Sequence, residues 1–88
     1  MSATAGSRVL SRAEARVLAE LVRCPGVWIR AWEIAEAIGD ERPGAPFRVH
    51  STMRRIRDKL GNDSIESSSR EPGYRAGAEL RRLAERAS

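Results

Sequence analysis

Between Phe47 and Asp63 the stretch FRVHSTMRRIRDKLGND holds five basic side chains, Arg48, Arg54, Arg55, Arg57 and Lys59, against two acidic ones, Asp58 and Asp63. A guanidinium is planar, permanently charged and forked. It suits bidentate contact with a carboxylate, a phosphate or the O6/N7 edge of guanine. Ser51 and Thr52 add hydroxyls that can bond bases or phosphates. Nothing in the sequence pairs a nucleophile with a base. His50 is the single histidine and Cys24 the single cysteine, whereas a metal site needs several ligands. Ser67, Ser68 and Ser69 form a polar run with no general base beside it. No phosphate-binding glycine loop is present. The expectation is a protein that is not an enzyme, with no cofactor, no metal and no small-molecule substrate. Its chemistry is recognition of something anionic.

That chemistry needs a helix to carry it. At about 100° per residue, Val49, Met53, Ile56 and Leu60 fall in one narrow stripe, the expected core face. Phe47, Ser51, Arg54, Arg55 and Asp58 lie on the far side, with Arg48, Arg57 and Lys59 on the flanks. A helix with one buried stripe and a basic opposite face can lie in the major groove of DNA. The alternative is a merely solvated face. Such faces mix Glu with Lys at helical pair spacing, whereas this helix carries four Arg, one Lys and one Asp.

Charge placement supports the first reading. The chain has 88 residues, a formal charge of +4 and a sequence pI near 10.5, the electrostatic footprint of a nucleic-acid binder. From Arg8 to Pro46 six basic residues balance six acidic ones, but from Phe47 to Arg75 seven stand against four. The length suits one domain. A lone cysteine permits no internal disulfide and fits a reducing, cytoplasmic setting; Cys24 reads as a half-buried residue at a helix end. No apolar run approaches a membrane span.

The remaining elements must hold this helix in place. Residues 1–9 read as a flexible leader. LSRAEARVLAELVRCPG opens with Ser11 and Glu14 in capping-box spacing. It continues with Leu10, Val17, Leu18, Leu21 and Val22 at helical period and stops at Pro25-Gly26, predicting a helix over Ser11 to Arg23. Val27 to Ile29 is a brief β-prone run. Ala31, Ile34, Ala35 and Ile38 predict a second short helix, ended by Gly39, with Trp32 facing away from them; Trp28 reads as packed or half-packed. DERPGAP reads as a loop, and the basic helix begins at Phe47. Ser64–Ser68 and Gly73–Ala76 around Glu-Pro-Gly predict a hairpin. Leu80, Leu83, Ala84 and Ala87 mark a short amphipathic tail helix over 77–88 that needs a packing partner. The fold class is α+β: three helices, a C-terminal hairpin and a tail helix, the plan of a winged helix-turn-helix over 10–76.

VHSTMRRIRDKLG followed by SREPGYR resembles the C-terminal DNA-binding domain of OmpR/PhoB-type response regulators. LSRAEARVLAELVRCPG is similar to that family's first helix, so the likeness spans about Leu10 to Ala76. It implies a winged helix that binds DNA as paired or tandem subunits. It implies Arg55 as a base-reading residue, Arg54 and Arg57 at phosphate or groove-edge positions, and Arg70 as a wing residue entering the minor groove. Ser68 falls near a backbone-contacting wing position, and Gly73 and Tyr74 match the closing turn and a residue packed under the wing. The chain departs from the pattern at Glu71, where a wing glycine is usual; at Phe47, where an Arg is usual; and at Arg30, where a Ser/Thr cap is usual. With no receiver domain, it reads as a stand-alone module, and its Ala, Arg and Gly content fits a GC-rich bacterial or phage genome.

The expectation is therefore a small transcriptional regulator that binds double-stranded DNA through Arg48, Ser51, Thr52, Arg54, Arg55, Arg57, Lys59, Ser68 and Arg70. The tail would support a homodimer. The alternative is a protein-interaction module that docks on a host polymerase or partner regulator, with Trp32, Leu80 and Leu83 as contact residues.

Overall fold

The computed structural model describes residues 10–68, 70 and 73–87, the last by its backbone. The expected leader, Ser69, and Glu71 and Pro72 of the expected turn lie outside the described residues. Those described form an α+β unit of four α-helices and one two-stranded antiparallel sheet. In chain order these are α1 (Arg12–Arg23), α2 (Ala31–Ala37), α3 (Ala45–Leu60), a 3-10 turn (Asn62–Ser64), β1 (Ile65–Ser67), β2 (Tyr74–Ala76) and α4 (Ala78–Ala87). None of the helices is long and apolar enough to cross a membrane.

The predicted capping box opens α1. Ser11 Oγ accepts from the Glu14 N–H at 3.2 Å, and Glu14 Oε1 accepts from the Ser11 N–H at 2.9 Å, satisfying two donors that the helix start leaves open. Cys24 ends the helix exposed, not half-buried as expected. The basic helix begins at Ala45, two residues before the predicted Phe47. Pro46 belongs to its first turn, where a missing N–H removes no helical hydrogen bond.

The core joins Val17 and Leu21 of α1, Ile34 and Ala35 of α2, Ala45, Val49, Met53 and Ile56 of α3, and Ile65 and Ala76 of the sheet. Leu60 departs from the predicted stripe and stays 43 % exposed. Its angle on the wheel is right, but it is the last residue of α3 and overhangs the core. β1 pairs with β2 through Ile65–Ala76, Glu66–Arg75 and Ser67–Tyr74. Of the β-prone run, Ile29 alone joins the sheet: it exchanges both backbone bonds with Tyr74, each at 2.8 Å. Val27 is exposed. Trp28 is half-buried, with the Arg75 guanidinium 4.5 Å from its ring centroid.

Two glycines make these junctions possible. A Cβ on Gly73, whose φ is +105°, would stand 2.3 Å from the Ile29 carbonyl oxygen. One on Gly77 would stand 1.9 Å from the Asp63 carbonyl oxygen, so neither position has room for a side chain. Gly77 leads into α4, which lays half-buried Leu80 on the core. Arg81 fixes α4 further, with Nη1 donating to the Ala76 carbonyl at 2.8 Å and to Glu66 at 3.1 Å. The tail thus packs on its own domain.

Candidate nucleic-acid interface

Because α3 buries Ala45, Val49, Thr52, Met53 and Ile56, its opposite side must face solvent. Phe47, Ser51, Arg54, Arg55 and Asp58 are all exposed there, as read from the helical period. The cations on this helix differ sharply in what they touch.

Arg48 is clamped. Its Nε and Nη2 donate to the two oxygens of Asp40 at 2.9 Å each, and its remaining donors reach the carbonyls of Pro43 and Arg42. Asp40 also accepts from Arg42. The Arg48 guanidinium, and after it that of Arg42, hold the Asp40 carboxyl far below its usual range, and Asp40 in turn raises Arg48. This bidentate pair fastens the loop before α3 to its first turn.

Arg55 and Lys59 share one carboxylate. Glu14 is 2 % exposed. Its Oε1 accepts from Lys59 Nζ at 2.7 Å and its Oε2 from Arg55 Nε at 3.1 Å. The Lys59 hydrogen bond, then the Ser11 backbone N–H, lower the Glu14 pKa from 4.5 to about 2 against the opposing effect of burial. One carboxylate balances one of the two cations. Arg55 remains 53 % exposed at its side chain, so it can still face a ligand, oriented by Glu14 and by Thr52 Oγ1 at 3.1 Å. Thr52 itself is 5 % exposed, and its hydroxyl donates to the Arg48 carbonyl. It sits under the face and supports Arg55.

Arg57 ties α3 to the hairpin. Its Nε and Nη2 donate to the Ile65 carbonyl at 3.2 and 3.0 Å, and Nη2 also reaches Ser67 Oγ at 3.2 Å. The guanidinium lies 5.9 Å from the Tyr74 ring centroid. Tyr74 OH bonds His50 Nδ1, so this flank of α3 grips the sheet while the opposite flank holds Asp40 and Glu14. Burial raises the Tyr74 hydroxyl above its ordinary pKa, partly offset by Arg57. Arg54, by contrast, is exposed and makes no hydrogen bond or ion pair with any described residue.

Ser68 and Arg70 follow β1 in the hairpin. Both are exposed, and the Arg70 N–H donates to Ser68 Oγ at 3.0 Å. Trp32 is 52 % exposed on α2, while Leu80 is half-buried and Leu83 is 52 % exposed on α4. Among the described residues no three His, Cys, Asp or Glu side chains converge to hold a metal ion.

Sequence reasoning missed Glu14 and Asp40 as the acidic partners of the α3 cations. The capping-box pattern had already assigned Glu14 a role, and nothing local reveals a second one to residues 41 and 45 positions away. It also missed the brace formed by Glu66, Arg75 and Arg81, in which Arg75, and after it Arg81, lower the Glu66 pKa. Comparison of the chain with protein-family models, curated proteins and solved structures finds no match.

Proposed function

We propose that the protein is a winged-helix regulator that binds double-stranded DNA, with the outward face of α3 in the major groove and the hairpin acting as the wing. One observation carries the reading: α3 is bound to the domain along one side and on both flanks, yet leaves Arg54 exposed without a protein partner. Arg55 stands beside it, held in orientation by a buried carboxylate. A fixed helix with one oriented guanidinium, Arg55, and one unneutralised guanidinium, Arg54, on its solvent side is suited to meet an ordered anionic surface. Ser51 offers a hydroxyl on the same face, and Phe47, 76 % exposed, offers an apolar surface suited to a thymine methyl. Arg70 and Ser68 extend the contact to the adjacent backbone. Arg48, Arg57 and Thr52 serve this reading as supports, and Lys59 contributes long-range charge.

Fluorescence anisotropy with duplex DNA across a salt series tests it. The wild type should bind with affinity falling steeply as salt rises, through counterion release. Arg54→Ala should weaken binding and flatten the log–log salt slope by about 1. Absence of binding at low salt excludes the reading, and wild-type behaviour from Arg54→Ala excludes the α3 face.

Exposed Trp32 and Phe47 favour a second reading, a protein-docking surface, since aromatic anchors dominate such contacts. In that case Trp32→Ala abolishes partner capture and Arg54→Ala does not.

A further inference from the structure

Two exposed leucines remain that neither the core nor the α3 face uses. Leu60, at the end of α3, and Leu83, on α4, are 43 % and 52 % exposed and line one cleft of about 580 Å³. The 3-10 turn forms its floor through Asn62 and Asp63, and Leu80 and Arg82 complete its α4 wall. Leu83 does not stand alone on that wall. Glu79, Leu83 and Arg86 recur at i, i+4 and i+7, which places them on one stripe of α4, and all three are exposed. Neither Glu79 nor Arg86 forms an ion pair with a described residue.

The stripe is self-complementary. In an antiparallel pair of helices related by a two-fold axis, residues equally distant from the axis face each other. With the axis between Arg82 and Leu83, Glu79 of each copy faces Arg86 of the other, so two opposite-charge contacts flank one apolar centre. Each Leu83 then meets the methylene stem of the opposing Arg82, which covers apolar surface while its head stays in water. A parallel pair would set Glu79 against Glu79 and Arg86 against Arg86. Acid and base of opposite sign at equal distance on either side of one point of α4, between Arg82 and Leu83, are complementary to a second copy of the same helix.

We propose that a second copy of this chain covers the cleft through an antiparallel α4–α4 pair centred on Arg82 and Leu83. Such an interface is closed and isologous. If the DNA-binding reading also holds, on which this consequence rests, the two α3 faces are presented by a two-fold axis. The preferred site then consists of inverted half-sites, not direct repeats.

Sedimentation velocity of the full chain, without DNA, tests the pair directly. The wild type should show concentration-dependent dimerisation. Glu79→Arg and Arg86→Glu should each weaken it about tenfold, because each turns two attractive contacts repulsive. An equimolar mixture of the two variants should restore association, since each reversed charge then meets its complement in the other chain. Both positions are exposed, and circular dichroism of each variant verifies that α4 is retained. A wild type that stays monomeric up to about 1 mM overturns the proposal. So does a mixture no more associated than its components. Dimerisation with no DNA binding would sink the DNA reading alone, whereas DNA binding by a strict monomer would sink the α4 pair alone.

Discussion

Replacing Glu14 by Gln should destabilise the fold while freeing charge for a ligand, and the two effects are separable. Gln keeps the shape of the side chain and an oxygen to accept from the Ser11 N–H, but it removes the charge shared by Lys59 and Arg55. Lowering the pKa from 4.5 to about 2 corresponds to about 3 kcal/mol at about 1.4 kcal/mol per unit. Arg55 is half-exposed, so water screens part of this, and a loss of about 2 kcal/mol near neutral pH is expected. For a domain of this size that lowers Tm by roughly 10 °C. A carboxylate whose folded pKa is depressed contributes its full stability above its unfolded value and loses it as pH falls through the folded one. The gap between wild type and Glu14→Gln should therefore be complete above about pH 4.5 and close as pH approaches about 2. Urea denaturation of both proteins at a series of pH values measures that gap. A gap of constant size from neutral to acid pH would refute the electrostatic account and assign the loss to packing. Under the DNA reading the same variant, at a temperature where it is folded, should bind duplex more tightly with a salt slope steeper by up to about 1, because Lys59 and Arg55 are no longer neutralised.

Other perturbations test separate parts of the structure. Gly77→Ala would force a Cβ to 1.9 Å from the Asp63 carbonyl and should cost about 3 kcal/mol or more by denaturant titration. Gly26→Ala, with nothing within 4 Å, should stay within about 0.5 kcal/mol of wild type. If Phe47 meets a thymine methyl, replacing that thymine by uracil in a selected site should weaken wild-type binding about fivefold or more and leave Phe47→Ala unchanged. Equal sensitivity of both proteins would remove Phe47 from base contact.

The elements were legible because each has a local cause. The Ser11/Glu14 capping box, the 3.6-residue spacing of Val17 and Leu21, and the Gly39 and Gly61 stops act within a few residues of themselves. The core centre on α3 was less legible. Its buried side is turned towards Thr52 and Ala45, because α1 and α2 both pack there, and no wheel drawn on α3 alone contains those neighbours. Ala45-Pro46 read as loop because proline usually ends helices, while the same ring fits a first turn. Leu60 shows the converse limit: periodicity gives the angle of a side chain and says nothing of whether the core extends that far along the axis.

The charge pattern changes most between chain and fold. Along the sequence the acidic residues of the first half look like a balanced background, and the five cations of α3 look like one surface. In space Glu14 and Asp40 cross onto α3 and take up Arg48, Arg55 and Lys59, while Arg57 is drawn to the Ile65 carbonyl. Counting cations on a helix therefore overstates the charge it offers a ligand. It also hides a division of labour. Carboxylates that cost binding charge fix the helix and aim Arg55, which lowers the conformational entropy lost when a partner arrives. Under the DNA reading, affinity at low salt belongs to the sum of the charges, and discrimination between sites belongs to the few exposed side chains on the solvent side of α3, of which Arg55 is held in orientation. Under that reading, substitutions at Arg54, Arg55, Ser51 and Phe47 should change which duplex is selected from a random pool, whereas Arg48→Ala, which breaks the Asp40 clamp, should act through stability and lower binding to all duplexes alike.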